Sequence, residues 1–205
     1  EPAGGGLRLV DHEIFLWDGL PTDVAFGLEP GIYFSDWVEG WGMTGKGRIY
    51  RVFHPEASED RLVAETKELL RSGMGERSAR ELAGLLAHAD MRVRQEAQFE
   101  LAKRGPDSLR VLIRTARRED SQLARIHAIW GAGQVLRVLS ANQKTEAAEH
   151  LLPLLRDEDA EIRAQAERMD LAYTSQNLAD IMSRSREGLR RIQQIVKDLR
   201  EFARL

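Results

Sequence analysis

Cysteine is absent from the 205 residues. Disulfides, thiolate nucleophiles, zinc–thiolate sites and the Cys-x-x-Cys-His attachment of a haem are therefore excluded within this chain. Aromatic residues make up only 6%, and no apolar run approaches the roughly 18 residues needed to cross a bilayer. A secretory signal is missing too, and the chain opens at Glu1 and runs into Gly4-Gly5-Gly6, so it reads as a fragment or a processed product. Nor is one sign of charge in excess: 30 Lys and Arg face 33 Asp and Glu, a formal net charge of −3. Nucleic-acid-binding domains normally carry a strongly basic balance, so that class is disfavoured. The five histidines, His12, His54, His88, His127 and His150, are scattered with no i, i+4 pair. Metal sites need convergent ligands, so structural or surface roles are expected for them, and no metal site is predicted.

What the chain does contain is a helical phrase used more than once. Residues 85–97 read LLAHADMRVRQEA, and residues 154–166 read LLRDEDAEIRAQA. Leu85 aligns with Leu154, Leu86 with Leu155, Asp90 with Asp159, Arg94 with Arg163 and Ala97 with Ala166. A rougher copy between them places Ser121, Leu123, Arg125 and Ala128 in similar order. This implies a unit of roughly 35 residues, the range of helical solenoid repeats. Ser78-Ala79-Arg80-Glu81 has capping-box form, and Gly105-Pro106 stops one helix and permits the next at Asp107 or Ser108. Asp90 and Asp159 stand where an N-cap is required. Arg94 and Arg163 fall one turn later, where each could bridge to a neighbouring repeat's aspartate. Leu85, Leu86, Val93, Ala97 and Leu101 are expected to form one buried stripe, repeated by Leu154, Leu155, Ile162 and Ala166. The acidic run Asp157-Glu158-Asp159 lacks the alternating ligand spacing of a calcium loop and reads as a solvated turn.

The periodicity differs on either side of these helices. Residues 7–54 show short apolar runs between Gly and Pro signals, with candidate strands at Glu13–Trp17, Asp23–Phe26, Gly31–Trp37 and Gly47–Phe53. Four strands at this spacing predict an antiparallel meander, such as one propeller blade, whose edges and faces require neighbours. At the other end, Leu178, Met182, Leu189, Ile192, Val196 and Leu199 alternate steps of three and four with Ser185 and Ala203. That heptad seam predicts a long amphipathic helix able to cap the array or to pair as a homodimer through 178–203. The expected fold is thus mainly α: a β-meander over 1–54, a helical repeat array over 55–168, and an amphipathic helix over 169–205.

The Leu-Leu pair, turn Asp, Val/Ile-Arg and Ala resemble HEAT repeats, which implies an α-solenoid of stacked helix pairs that binds a protein partner or serves as a scaffold. The string Ser35-Asp36-Trp37-Val38-Glu39-Gly40-Trp41-Gly42, with Val24-Ala25-Phe26-Gly27 before it and Gly45-Lys46-Gly47-Arg48-Ile49-Tyr50-Arg51-Val52 after it, resembles the last propeller blade of the PVC-type haem-binding, membrane-bound-dehydrogenase-like proteins. That bacterial family joins a sugar-dehydrogenase-like propeller to HEAT repeats and a cytochrome c module outside the cytoplasm. Haem, with calcium or a quinone, is implied for such a parent only; for this chain no cofactor and no catalytic residue are expected. Asp36 and Glu39, beside Trp37 and Trp41, are the candidates for a polar pocket that takes a cation or sugar hydroxyls. The competing reading has Asp36 capping a turn and the tryptophans packing between blades. Residues 171–205, with Leu171-Ala172-Tyr173, Arg186-Glu187-Gly188-Leu189-Arg190-Arg191-Ile192 and Ile195-Val196-Lys197-Asp198-Leu199-Arg200, are similar to the dimerisation helix of sensor histidine kinases, which implies a cytoplasmic setting. Where that family has its phosphoacceptor histidine, this chain reads Gln165-Ala166-Glu167-Arg168-Met169-Asp170. The expected function is a non-catalytic interaction or scaffold module. The alternatives are a piece of a sugar or alcohol dehydrogenase-like oxidoreductase and a signalling chimera that dimerises through its tail.

Overall fold

The computed structural model describes residues 2–3, 6–38, 45–118, 120–169 and 190. The seam residues Leu178, Met182, Leu189, Ile192, Val196 and Leu199, and the pocket candidates Glu39 and Trp41, lie outside the described residues. Within them the chain is mainly helical with a small antiparallel sheet. It divides into two compact units, Glu1–Glu100 and Leu101–Leu205.

In the first unit β1 (Pro2–Ala3) pairs with β2 (Gly6–Leu7), and a meander follows of β3 (Pro21–Phe26), β4 (Ile32–Asp36) and β5 (Arg48–Val52). Three of the four expected strands are therefore present. Residues Glu13–Trp17 form no strand, although their composition suits one, because no neighbouring strand pairs with them. β4 is central, with Val24 opposite Phe34 opposite Tyr50 and Phe26 opposite Ile32 opposite Val52. Alternation along a strand gathers these six on one face, where the Phe34 and Tyr50 rings stack at 5.1 Å. Gly31 makes the β3–β4 turn at φ +131, and a Cβ there would stand 2.5 Å from the Val52 carbonyl oxygen. The sheet's apolar face has no full layer over it: Val24 is 63% exposed, Phe26 69% and, on the opposite face, Ile49 78%.

Three helices complete this unit: α1 (Arg61–Ser72), α2 (Ala79–Leu85) and the greater part of α3 (Met91–Lys103). Ser78 begins α2 with the expected capping box, its hydroxyl accepting from the Glu81 N–H and the Glu81 carboxylate from the Ser78 N–H. Leu82, Leu86, Val93 and Ala97 are fully buried, each large side chain contributing about 1.5–3 kcal/mol of burial free energy. Two polar contacts tie the sheet's β3–β4 turn to these helices. Arg92 Nη1 donates to the Gly27 carbonyl at 2.6 Å, and Lys67 Nζ meets Glu29 Oε1 at 2.6 Å.

The second unit holds α4 (Pro106–Ala116), α5 (Gln122–Leu136), α6 (Ala141–Leu151), a 3₁₀ turn at Leu152–Arg156 and α7 (Ala160–Arg168). Gly105 at φ +63 caps α4 and Pro106 opens it, one or two residues earlier than the spacing suggested, since proline needs no amide partner in a first turn. α4 packs on α5 and on α6, and α5 packs on α7. The buried faces of Leu101, Leu112, Ile126, Ile129, Leu151 and Ile162 form its core. Trp130-Gly131-Ala132-Gly133 lies inside α5, with Gly131 and Ala132 buried, so close packing explains its small residues.

The Leu-Leu pairs behave differently in the two copies. Leu86 is buried and Leu85 only half-buried, whereas Leu154 is buried and Leu155 half-buried. In α2 the inward step runs from Leu82 to Leu86, four residues, as an α-helix requires. The second pair sits in the 3₁₀ turn, where residues three apart share a face, so Leu151 is followed by Leu154. The expected single stripe is thus corrected: one leucine of each pair enters the core, and helix type decides which.

Candidate functional site

The repeated phrase builds a repeated joint. Asp90 Oδ1 accepts from the Arg92 N–H at 2.8 Å, and Asp159 Oδ1 accepts from the Glu161 N–H at 2.8 Å, the expected N-caps of α3 and α7. Two residues before each cap stands a side chain that accepts the cap's own N–H: His88 Nδ1 from Asp90 and Asp157 Oδ1 from Asp159, both at 3.0 Å. Four residues after each cap stands an arginine. Arg94 Nη1 donates to the carbonyls of His88 at 2.7 Å and Ala89 at 2.8 Å. Arg163 Nη1 donates to those of Asp157 at 2.6 Å and Glu158 at 3.0 Å. Both arginines therefore clamp the turn that precedes their own helix, supplying donors to carbonyls that a turn leaves unsatisfied. A cap plus four residues places each of these guanidinium groups back over its own turn, where it meets these carbonyls.

A bridge between copies comes from the middle one. Arg125, four residues after the N-cap Ser121, is buried. Its Nε donates to the Ala116 carbonyl at the end of α4 at 2.9 Å, and its two terminal nitrogens fork onto the Asp157 carboxylate. Gln122 Nε2 donates to Asp159 Oδ2 at 2.7 Å, and Trp130 Nε1 to Gln165 Oε1 at 2.9 Å. Asp157-Glu158-Asp159 is accordingly no solvated turn: two of its three carboxylates are half-buried acceptors that join α5 to the α6–α7 connection. Composition gave no sign of Gln122, Trp130 or Gln165. Arg125 was signalled by its distance from Ser121, equal to that of Arg94 from Asp90.

The charges in these joints respond as their partners dictate. The Arg92 guanidinium holds Asp90 below the ordinary 3.8, against the opposing pull of burial. Arg125 does the same for Asp157. For Asp159 burial is the largest influence and pulls upward, yet the Gln122 amide and the Glu161 and Ile162 N–H groups together outweigh it. Burial draws Arg94 below its usual value while Asp90 opposes.

Of the polar-pocket candidates, Asp36 and Trp37 are described. Asp36 Oδ1 accepts from the Leu20 N–H at 2.8 Å, and the Trp37 N–H donates to the Leu20 carbonyl at 3.0 Å. These bonds hold the segment after Gly19 across the end of β4. The segment borders an open cavity of about 850 Å³ over the sheet, lined by Trp17, Phe34, Asp36 and Tyr50. Among the described residues no group of three His, Asp or Glu side chains converges as metal ligands would, and no helix is long and apolar enough to cross a membrane.

No protein-family model, no curated protein and no solved structure matches this chain.

Proposed function

We propose that this chain is a HEAT-like interaction or scaffold module without catalysis of its own, carrying the last blade of a propeller and belonging to a larger propeller–HEAT–cytochrome protein. The observation that carries the reading is the recurrence of the turn clamp at Asp90–Arg94 and Asp159–Arg163, with Arg125 at the same place in between. Arg94 and Arg163 hold turns, while Arg125, Gln122, Asp157 and Asp159 hold helices to the next connection, and rigid stacked hairpins present extended surfaces to partners. The uncovered apolar face of β3–β5 supports the blade assignment, since a blade is finished by its neighbours. In this reading the haem motif, and any calcium or quinone site, lies outside residues 1–205.

Site-specific photo-cross-linking tests it. A benzophenone side chain is placed at Arg114, Val138 or Glu149 on the helices, and at Ile49 on the sheet, in the chain expressed in its source. Adducts to one defined protein from at least one helical position are expected. Adducts from Ile49 alone, with none from the helices, would leave the blade as the functional part and remove the interaction role of the helices.

A further inference from the structure

One surface of the second unit stands apart from a chain whose net charge is negative. Between α4 and α6 runs an open groove of about 780 Å³. Its floor is apolar, from Leu109, Ile113, Leu139 and Ala147, and its α4 wall is lined by Arg110, Arg114 and Arg117. These three are exposed and fall at steps of four and three, so they form one stripe along the helix. None makes an ion pair among the described residues. The adjacent Arg118, by contrast, is paired with Asp120, as the exposed Arg71 is with Glu68. Like charges at these spacings repel one another on an isolated helix, a local cost that an acidic partner would relieve. The facing α6 wall contributes the single acid Glu146.

We infer that the α4–α6 groove is the docking site for an acidic amphipathic helix of a partner protein, a surface assignment that rests on the interaction-module reading above. Apolar side chains recurring every three or four residues would sit on the Leu109–Ile113–Ala147 floor, and flanking Asp and Glu would pair with the arginine stripe. α4 has 11 residues and so spans roughly 16 Å, which accommodates about three turns of such a helix. A nucleic acid fits less well: among its lining residues the groove has no Phe, Tyr or Trp on which bases could stack, His150 being its one ring, and Glu146 would face its phosphates.

The test is fluorescence anisotropy on the full chain with three labelled probes. They are a 14-residue Leu/Glu peptide patterned as an amphipathic helix, the same composition scrambled, and a 12-nucleotide single-stranded RNA. Saturable binding of the patterned peptide is expected at micromolar concentration, about tenfold tighter than the scrambled one and weaker with added salt. Arg110→Glu/Arg114→Glu/Arg117→Glu should lose about tenfold or more with an unchanged melting curve, and Arg114→Glu alone should lose part of that. Equal binding of the scrambled peptide, tighter binding of the RNA, or undiminished binding by the triple variant each overturns the assignment. The cross-linking scan reads the broader function independently: adducts at Val138 and none at Arg114 would defeat the groove while leaving the interaction module standing.

Discussion

Removing Arg125 is the sharpest perturbation of this structure. Its side chain is only 7% exposed and its Asp157 partner's 18%, so Arg125→Ala leaves a carboxylate that is largely shielded from water and has lost its counter-charge. The Ala116 carbonyl at the end of α4 loses its donor as well. Breaking a buried pair by deleting one member costs about 3–5 kcal/mol, and a lost hydrogen bond about 1 kcal/mol. Asp157 keeps some solvent and the Asp159 N–H, so the pair term falls below the fully buried range, to about 2 kcal/mol, and the two losses together cost about 3 kcal/mol. For a unit of this size that corresponds to a fall in melting temperature of roughly 10–20 °C. Arg125→Met, which keeps the apolar stem, should recover only a small part. Urea unfolding followed by circular dichroism at 222 nm, on Arg125→Ala, Asp157→Ala and the double variant, completes a cycle. The double variant should be less destabilised than the sum of the singles by about 1–2 kcal/mol. Additivity within about 0.5 kcal/mol, or a loss under about 1 kcal/mol for Arg125→Ala, would refute the claim that this pair joins α4 and α5 to the α6–α7 connection.

Other outcomes follow from the same geometry. Leu86→Ala and Leu154→Ala should each cost about 2–5 kcal/mol, and Leu85→Ala and Leu155→Ala clearly less. Equal losses within each pair, read by denaturant titration, would contradict the switch from α to 3₁₀ spacing. Ser78→Ala should cost about 1 kcal/mol through the capping box of α2. Acid should weaken the joints. Asp90 and Asp157 are held below 3.8 by Arg92 and Arg125, and Asp159 by its hydrogen bonds. Their stabilising contribution is complete above that ordinary value and is lost as pH falls below it, through the folded-state values. Melting temperature measured from pH 7 to pH 2 should therefore drop mainly below about 4, and Asp157→Asn should flatten the drop.

The capped turns were legible in the sequence because a cap is a local device: Ser78-x-x-Glu81, Asp90 and Asp159 need only their own next turn. The partners of the arginines were not, since a guanidinium reaches in several directions and only the packed turn decides which carbonyl it meets. Arg94 and Arg163 therefore turn back on their own connection, while Arg125 reaches the Ala116 carbonyl and the Asp157 carboxylate. The leucine pairs look identical in one dimension, yet Pro153 and the tighter 3₁₀ spacing exchange their roles. In the meander, alternation located β3, β4 and β5, but it could not distinguish Glu13–Trp17, whose apolar residues have no strand beside them. Asp36 illustrates the same limit for a site: its bond to the Leu20 N–H depends on a segment 16 residues away.

Amide hydrogen exchange measured by NMR on the whole chain tests most directly whether clamped helical hairpins are the stable body and the sheet an unfinished blade. The Asp90 and Asp159 amides, although in connections between helices, should exchange as slowly as interior helix amides, because His88 and Asp157 accept their protons beneath an arginine clamp. Amides of β3 and β5 should exchange much faster than those of α5. Fast exchange at Asp90 and Asp159 alongside protected helices, or a sheet more protected than α5, would contradict this account.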